Sequence, residues 1–273
     1  MEESSAEPQR VVLVTGASSG IGAAAADRLA KEWRVFGTSR SLAGRAERSR
    51  EIEWLEIDVT EDASVAVGVD TLLDRAGRLD AVVCNAGIGI FGSVEETSLA
   101  AARDQFETNV FGVLRVLRAT LPHLRAQGAG RVALVGSLAG RVPIPFQAHY
   151  SATKAAVDAL AGSLANELHG TGVAVSLIEP GDIRTPFNEP VDFEGAIGSP
   201  YGEPIARARE TIERSLDAAP GPEVVAEVIE AALTAPRPRA RYAVGAEVPW
   251  VPLLRRLLPD RTVRWAIRRH FKL

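Results

Sequence analysis

Tyr150 and Lys154 stand four residues apart in Tyr150-Ser151-Ala152-Thr153-Lys154, a spacing that stacks two side chains on one face of a helix. A phenol normally titrates near 10 and is a poor base at neutral pH. An ammonium one turn away stabilises the phenolate and lowers that value, so the pair could pass a proton to or from a substrate oxygen. Such a pair is scarce here. The chain holds only three tyrosines and three lysines, which puts a chance match at this spacing at roughly 3%. The bland alternative is a surface Tyr/Lys pair, and what lies upstream argues against it.

Val11-Val12-Leu13-Val14 is a fully apolar run that leads straight into Thr15-Gly16-Ala17-Ser18-Ser19-Gly20-Ile21-Gly22. Glycines let a backbone turn sharply and approach a pyrophosphate, and a helix start just behind them offers unpaired N–H groups. The spacing is G-x3-G-x-G rather than G-x-G-x-x-G, and a glycine turn alone could be only a tight turn. Its place directly after the first strand makes it a dinucleotide site. After the second strand a dinucleotide fold puts an acid on the ribose hydroxyls of NAD, or a base on the NADP phosphate. The residues here are Thr38-Ser39-Arg40, with no acid. A guanidinium clamps a phosphate where an aspartate would repel it, so Arg40 favours NADP(H) over NAD(H). Alternatively, Arg40 is a solvated loop residue.

The elements that must hold these groups follow a strand–helix alternation. After the first strand and a helix to about Glu32 come strands at Arg34–Thr38, Trp54–Ile57, Ala81–Cys84, Val132–Val135 and Val173–Ile178. A weaker seventh lies near Arg241–Val244. Runs apolar on both faces suit a parallel sheet covered by helices. The expectation is therefore α/β, a doubly wound (Rossmann) parallel sheet of about seven strands. Residues 1–9 read as a disordered tail, 10–250 as one domain, 182–222 as a mobile substrate lid within it, and 251–273 as a basic helical tail. No internal repeat or second domain is evident.

The turn matches T-G-x-x-x-G-I-G throughout, and with Tyr150-x-x-x-Lys154 the chain resembles the short-chain dehydrogenase/reductase superfamily to about residue 190. That resemblance implies further roles. Ser137, thirteen residues before Tyr150, would hydrogen-bond the substrate oxygen, which suits a group that both donates and accepts. Gly136 stands where a second serine often occurs. Asn109, in Thr108-Asn109-Val110, would hold a water linking Lys154 to solvent; by itself it reads equally as a buried structural amide. Asp58 and Val59 would lie against the adenine, although Asp58 could also cap the next helix. Asn85-Ala86-Gly87 would form the cofactor wall, with Cys84 in place of an asparagine and read as a buried hydrophobe. Pro180, Gly181, Ile183 and Thr185 would meet the nicotinamide carboxamide. Gly16, Ser18, Ser19, Gly20, Ile21 and Gly22 would hold the pyrophosphate, and Tyr150 and Lys154 would also touch the cofactor. Homodimers or homotetramers are common in such families.

Bulk properties set the outer limits. A formal net charge of −4 argues against nucleic-acid binding. The one cysteine excludes an intrachain disulfide and favours a reducing compartment. The first ten residues have no apolar signal core, and no run approaches the roughly 18 apolar residues of a membrane span, so a soluble cytoplasmic protein is expected. No His/Cys/Asp cluster has metal-ligand spacing. Ile90, Phe91, Val142, Pro143, Phe146, Phe187, Phe193 and Tyr201 would give an apolar substrate end, suited to a bulky hydrophobic carbonyl or alcohol. Pro145–Tyr150 with Glu179–Asp182 looks like members acting on steroid- or retinoid-type substrates. The tail from Leu253 to Leu273, with seven basic residues and one acid, could touch an anionic membrane, but packing on the body or a neighbouring subunit is preferred. Two other functions share part of this pattern. Nucleotide-sugar epimerases share Y-x-x-x-K but use a T-G-x-x-G-x-x-G turn and a larger C-terminal domain. A non-catalytic nicotinamide-sensing protein would be expected to lose the tyrosine.

Overall fold

The computed structural model describes residues 9–43, 51–186, 199–245 and 248–273. Seven strands form one sheet: β1 (Val11–Val14), β2 (Arg34–Ser39), β3 (Ile52–Glu56), β4 (Ala81–Cys84), β5 (Gly130–Val135), β6 (Val173–Pro180) and β7 (Arg241–Val244). Their order is β3-β2-β1-β4-β5-β6-β7, and every adjacent pair is parallel. The helices are α1 (Gly20–Leu29), α2 (Asp62–Ala76), α3 (Leu99–Phe106), α4 (Gly112–Ala126), α5 (Ala148–Glu167), α6 (Gly202–Ala218), α7 (Glu223–Thr234), α8 (Trp250–Leu257) and α9 (Asp260–His270).

Alternation within each strand explains the two layers. Val11 and Leu13 of β1, Val82 and Cys84 of β4, and Val132 and Leu134 of β5 point to one face, where they pack with α2, α4 and α5. Val12, Val14, Ala81, Val83, Ala133 and Val135 point to the other face, against α1 and α7. Both faces are dry, which is why these strands are apolar throughout. Each fully buried Val or Leu contributes about 1.5–3 kcal/mol of transfer free energy, so the centre of the sheet is a rigid platform.

Boundaries moved by a few residues. The first helix ends at Leu29, short of Glu32, because the Lys31 and Glu32 amides bond three residues back, to Arg28 O and Leu29 O, and the Trp33 indole turns into the core. The third strand starts at Ile52, which pairs with Val35, and Ile57 only extends the ladder by one amide to Ser39 O. Strand order reverses between β1 and β4, and a crevice opens outside their C-terminal ends.

Candidate active site

A cleft of about 540 Å³ occupies that crevice. Thr15 fastens its floor. The Thr15 hydroxyl accepts hydrogen bonds from the amides of Asn85 (3.0 Å) and Ala86 (3.1 Å), and the Asn85 side-chain amide donates to Thr15 O and Gly16 O. Asn85 therefore clasps the glycine turn to β4. Gly16 has φ +64° and Gly20 φ +53°, conformations that side chains resist. A Cβ at Gly22 would sit 2.3 Å from Gly16 O and 2.4 Å from Asn85 Nδ2. The turn thus has room for backbone only, and it leads into the N-terminus of α1.

The catalytic and cofactor-binding residues nominated from the sequence gather here with two exceptions. Gly16, Ser18, Ser19, Gly20, Ile21, Arg40, Asp58, Val59, Asn85, Ala86 and Gly87 line one stretch of the cleft. Ser137, Tyr150, Lys154, Pro180, Gly181, Ile183 and Thr185 line the other. Gly22 lies beneath the turn and Asn109 lies behind the wall, so neither lines the opening. Arg40 is exposed at the end of β2. Asp58 Oδ1 accepts from the Thr60 amide (2.9 Å) and hydroxyl (2.8 Å), so it shapes a turn ahead of α2, whose N-cap is Glu61. Phe187 and Phe193 lie outside the described residues.

The chemical centre forms where β5 meets α5. Ser137 Oγ accepts from the Ala139 amide at 3.1 Å, and the serine hydroxyl bonds the Tyr150 phenol, which favours the phenolate. Burial outweighs that bond and pushes Tyr150 up to about 12. The expected lowering by the lysine is thus absent in the cofactor-free protein. Lys154 Nζ lies 5.7 Å from the Tyr150 ring centroid and donates to Val135 O at 2.8 Å. Burial pulls its ammonium down to about 8. Glycines bring these parts close. A Cβ at Gly140 would meet the Lys154 backbone at 2.7 Å, and one at Gly136 would meet Leu177 at 2.9 Å.

Asn109 braces this helix. It occupies a single π-helical turn, Glu107–Phe111, between α3 and α4. Its amide exchanges two hydrogen bonds with Ile88, both 2.8 Å, and donates to Thr153 Oγ1 at 3.1 Å. Thr153 Oγ1 in turn donates to Tyr150 O at 2.8 Å. Sequence reasoning missed Thr153, since a threonine inside a helix carries no pattern of its own. It also missed Ile144, Gln147, Ile212, Ser215, Leu216, His270 and Phe271 in the cleft wall.

Glu179 does not enter the cleft. It is 1% exposed at the end of β6, and it forms ion pairs with Arg241 (2.6 Å) and Arg141 (3.6 Å). Arg241 also pairs with Asp158 of α5. A buried carboxylate without such partners would be strongly destabilising. Here it ties the segment after Ser137 to β7 and, through Arg241, to the helix of Tyr150.

Ile90, Phe91, Val142, Pro143, Phe146 and Tyr201, expected at the substrate end, do not line this cleft; Phe146 and Tyr201 instead line a separate pocket with Ser93, Val94 and Glu95. Phe146 has φ +61°, a strained conformation for a bulky residue, and its carbonyl accepts from the Gly92 amide at 2.7 Å. Its ring lies 6.3 Å from those of Phe91 and Tyr201. Tyr201 donates from its hydroxyl to Glu95 at 2.8 Å, bridging the start of α6 to the loop after β4. Cys84 is buried and its thiol is pushed up to about 12, so it packs as a hydrophobe. Among the described residues, no group of three His, Cys, Asp or Glu could hold a metal, and no helix is long and apolar enough to cross a membrane.

The geometry fits a dinucleotide. A backbone-only turn at a helix start takes the pyrophosphate, with Arg40 on one side and the Ser137–Tyr150–Lys154 group on the other. The sequence model of the short chain dehydrogenase family matches residues 10–194, and the chain belongs to the short-chain dehydrogenase/reductase superfamily. It is an oxidoreductase of the kind that acts on hydroxyl groups with a nicotinamide dinucleotide. Human (Homo sapiens) 17-beta-hydroxysteroid dehydrogenase type 1 is 37% identical, over 92% of this chain and 81% of the human protein. The 3-ketodihydrosphingosine reductase of Bacteroides thetaiotaomicron is 32% identical, over 96% and 97%. A variant of actinorhodin polyketide ketoreductase solved with NADPH superposes with a TM-score of 0.74 at 29% identity, over 87% of this chain and 95% of that one. Other related structures hold NADP or NAD.

Proposed function

We propose that the chain is an NADP(H)-dependent oxidoreductase that interconverts a bulky hydrophobic ketone or aldehyde with its alcohol. The observation that carries this is the continuous group Ser137–Tyr150–Lys154 at one end of a cleft whose other end presents Arg40. When bound, the nicotinamide supplies or takes the hydride. Tyr150 is the acid/base. In the protonated form favoured by burial, it gives its proton to the substrate oxygen during reduction, and the phenolate takes a proton in oxidation. Ser137 donates to the same oxygen and holds it beside the phenol. Lys154, 5.7 Å from the Tyr150 ring, stabilises the phenolate and would help hold the nicotinamide cofactor. Asn109 keeps the lysine's helix in register through Thr153.

Arg40 supports NADP over NAD, because no acid at the end of β2 would repel a phosphate there. The substrate class rests on apolar side chains in the cleft wall, among them Ile88, Ile144, Ile212, Leu216 and Phe271. It is also in keeping with relatives named for a hydroxysteroid and for ketodihydrosphingosine, both large and apolar. The fold's own precedents further support a homo-oligomer. The deciding measurement is NADPH oxidation across a panel of hydrophobic carbonyls, with Tyr150→Phe as control. The variant should still bind NADPH and lose on the order of a hundredfold or more in kcat. Undiminished turnover in Tyr150→Phe would sink the mechanism.

A further inference from the structure

The C-terminal segment splits into two faces with opposite fates. Val263, Ile267 and Phe271, spaced four apart on and just past α9, turn inward, and Phe271 is 9% exposed. Lys272 fastens the end to α6, its carbonyl accepting from Arg207 Nε at 2.8 Å and its ammonium pairing with Glu210 at 3.4 Å. That part of the tail packs on the body, as preferred from the sequence. The helix before it does the reverse.

On α8, Trp250, Leu253, Leu254 and Leu257 fall at i, i+3, i+4 and i+7, which is one stripe of a helix. That stripe points into solvent: Trp250 is 64% exposed, Leu254 53% and Leu257 70%. The body is met instead by Pro252 and Val251. An amphipathic helix docked with its apolar stripe outward is the arrangement of a surface made to be covered. The outer face of α9 continues it with Trp265, 56% exposed, set among Arg261, Arg268 and Arg269, with the Arg269 guanidinium 5.7 Å from the indole ring.

Charge identifies the occupant. From Leu253 to Leu273 there are seven basic residues and one acid, in a chain whose net charge is −4. A second copy brought face to face would set arginine against arginine. An apolar stripe flanked by arginines and two tryptophans fits the boundary between headgroups and acyl chains of an anionic bilayer, where each kind of side chain finds its solvent. We propose that α8 and the outer face of α9 form a docking surface for an anionic lipid bilayer, with Trp250, Leu253, Leu254 and Leu257 entering the acyl boundary. Phe271, at the inner end of the same tail, lines the active cleft, so docking holds the cleft at the lipid surface. The docking itself does not depend on which substrate the cleft takes.

The test uses the full chain and vesicles of phosphatidylcholine with or without about 30% phosphatidylserine. Two of the four tryptophans, Trp250 and Trp265, lie on the proposed surface, while Trp33 is 2% exposed and Trp54 packs on the core. Co-sedimentation should require phosphatidylserine and fall on the order of tenfold in about 0.5 M salt. Brominated lipid should quench the exposed tryptophans. The double variant Leu254→Ser with Leu257→Ser should lower partitioning on the order of tenfold or more, with its melting temperature and its turnover of a water-soluble carbonyl unchanged. Equal recovery with and without vesicles overturns the proposal, as does full vesicle binding by the double variant. A parent oligomer that dissociates in the double variant also overturns it, by assigning the stripe to a second copy. Vesicle binding in a protein that oxidises no NADPH would leave the docking standing and reject only the enzymatic reading.

Discussion

Replacing Lys154 with methionine should remove turnover and yet make the cofactor-free protein more stable at neutral pH. The ammonium is buried, with one hydrogen bond to Val135 O at 2.8 Å, and burial lowers its pKa from 10.5 to about 8. At about 1.4 kcal/mol per pKa unit, keeping this group charged in the fold costs ~3 kcal/mol. The sign follows from proton binding. The folded lysine holds its proton less tightly than the unfolded one, so the whole cost is present below pH 8. Between pH 8 and 10.5 the unfolded chain binds more protons, and the stability of the parent rises. Methionine has a similar length and no charge, but it forfeits the bond to Val135, a loss of about 1 kcal/mol. The net gain is ~2 kcal/mol, or roughly 4–8 °C in Tm for a chain of this size. Calorimetry of both proteins without cofactor at pH 7 and pH 10 measures it. The variant should melt higher at pH 7, and most of the gap should close by pH 10. A variant that melts at or below the parent at pH 7, or a gap that ignores pH, refutes the reasoning. Turnover should fall at least about a hundredfold, because the nearest cation to the Tyr150 ring is gone.

Arg40→Asp should shift the ratio of kcat/KM for NADPH over NADH by about tenfold or more, since charge-assisted hydrogen bonds to a phosphate are lost and repulsion replaces them. An unchanged ratio would return Arg40 to the status of a solvated loop residue. Gly22→Ala places a methyl 2.3 Å from Gly16 O and 2.4 Å from Asn85 Nδ2, so it should break the clasp on the turn. The variant should melt several degrees lower (about 1–3 kcal/mol) and bind NADPH at least about tenfold more weakly by fluorescence titration. Parent-like affinity would mean that the turn does not hold the dinucleotide.

What could be read from the chain in advance depended on how local each signal is. Val11–Val14 and Ala81–Cys84 were legible as strands because burial on both faces makes every residue apolar. Tyr150 with Lys154 was legible because the helix itself sets their distance. The groups that escaped notice act through contacts that span the sequence. Thr153 matters only because Asn109, 44 residues away, bonds it, and nothing about an isolated threonine announces that. Glu179 looked like part of a substrate motif, yet it is turned inward by arginines 38 residues before and 62 residues after it. The fate of Tyr150 was misjudged for a related reason. A sequence shows that a lysine is near, but not how much water the fold removes, and desolvation raises the phenol more than Ser137 lowers it. That result changes what the cofactor-free site is prepared to do. With Tyr150 near 12, the phenol is protonated at any physiological pH, so the site starts as a proton donor. The tail shows the same limit from the other side: its basic excess from Leu253 to Leu273 was legible, but only the fold reveals that the apolar stripe on α8 faces outward.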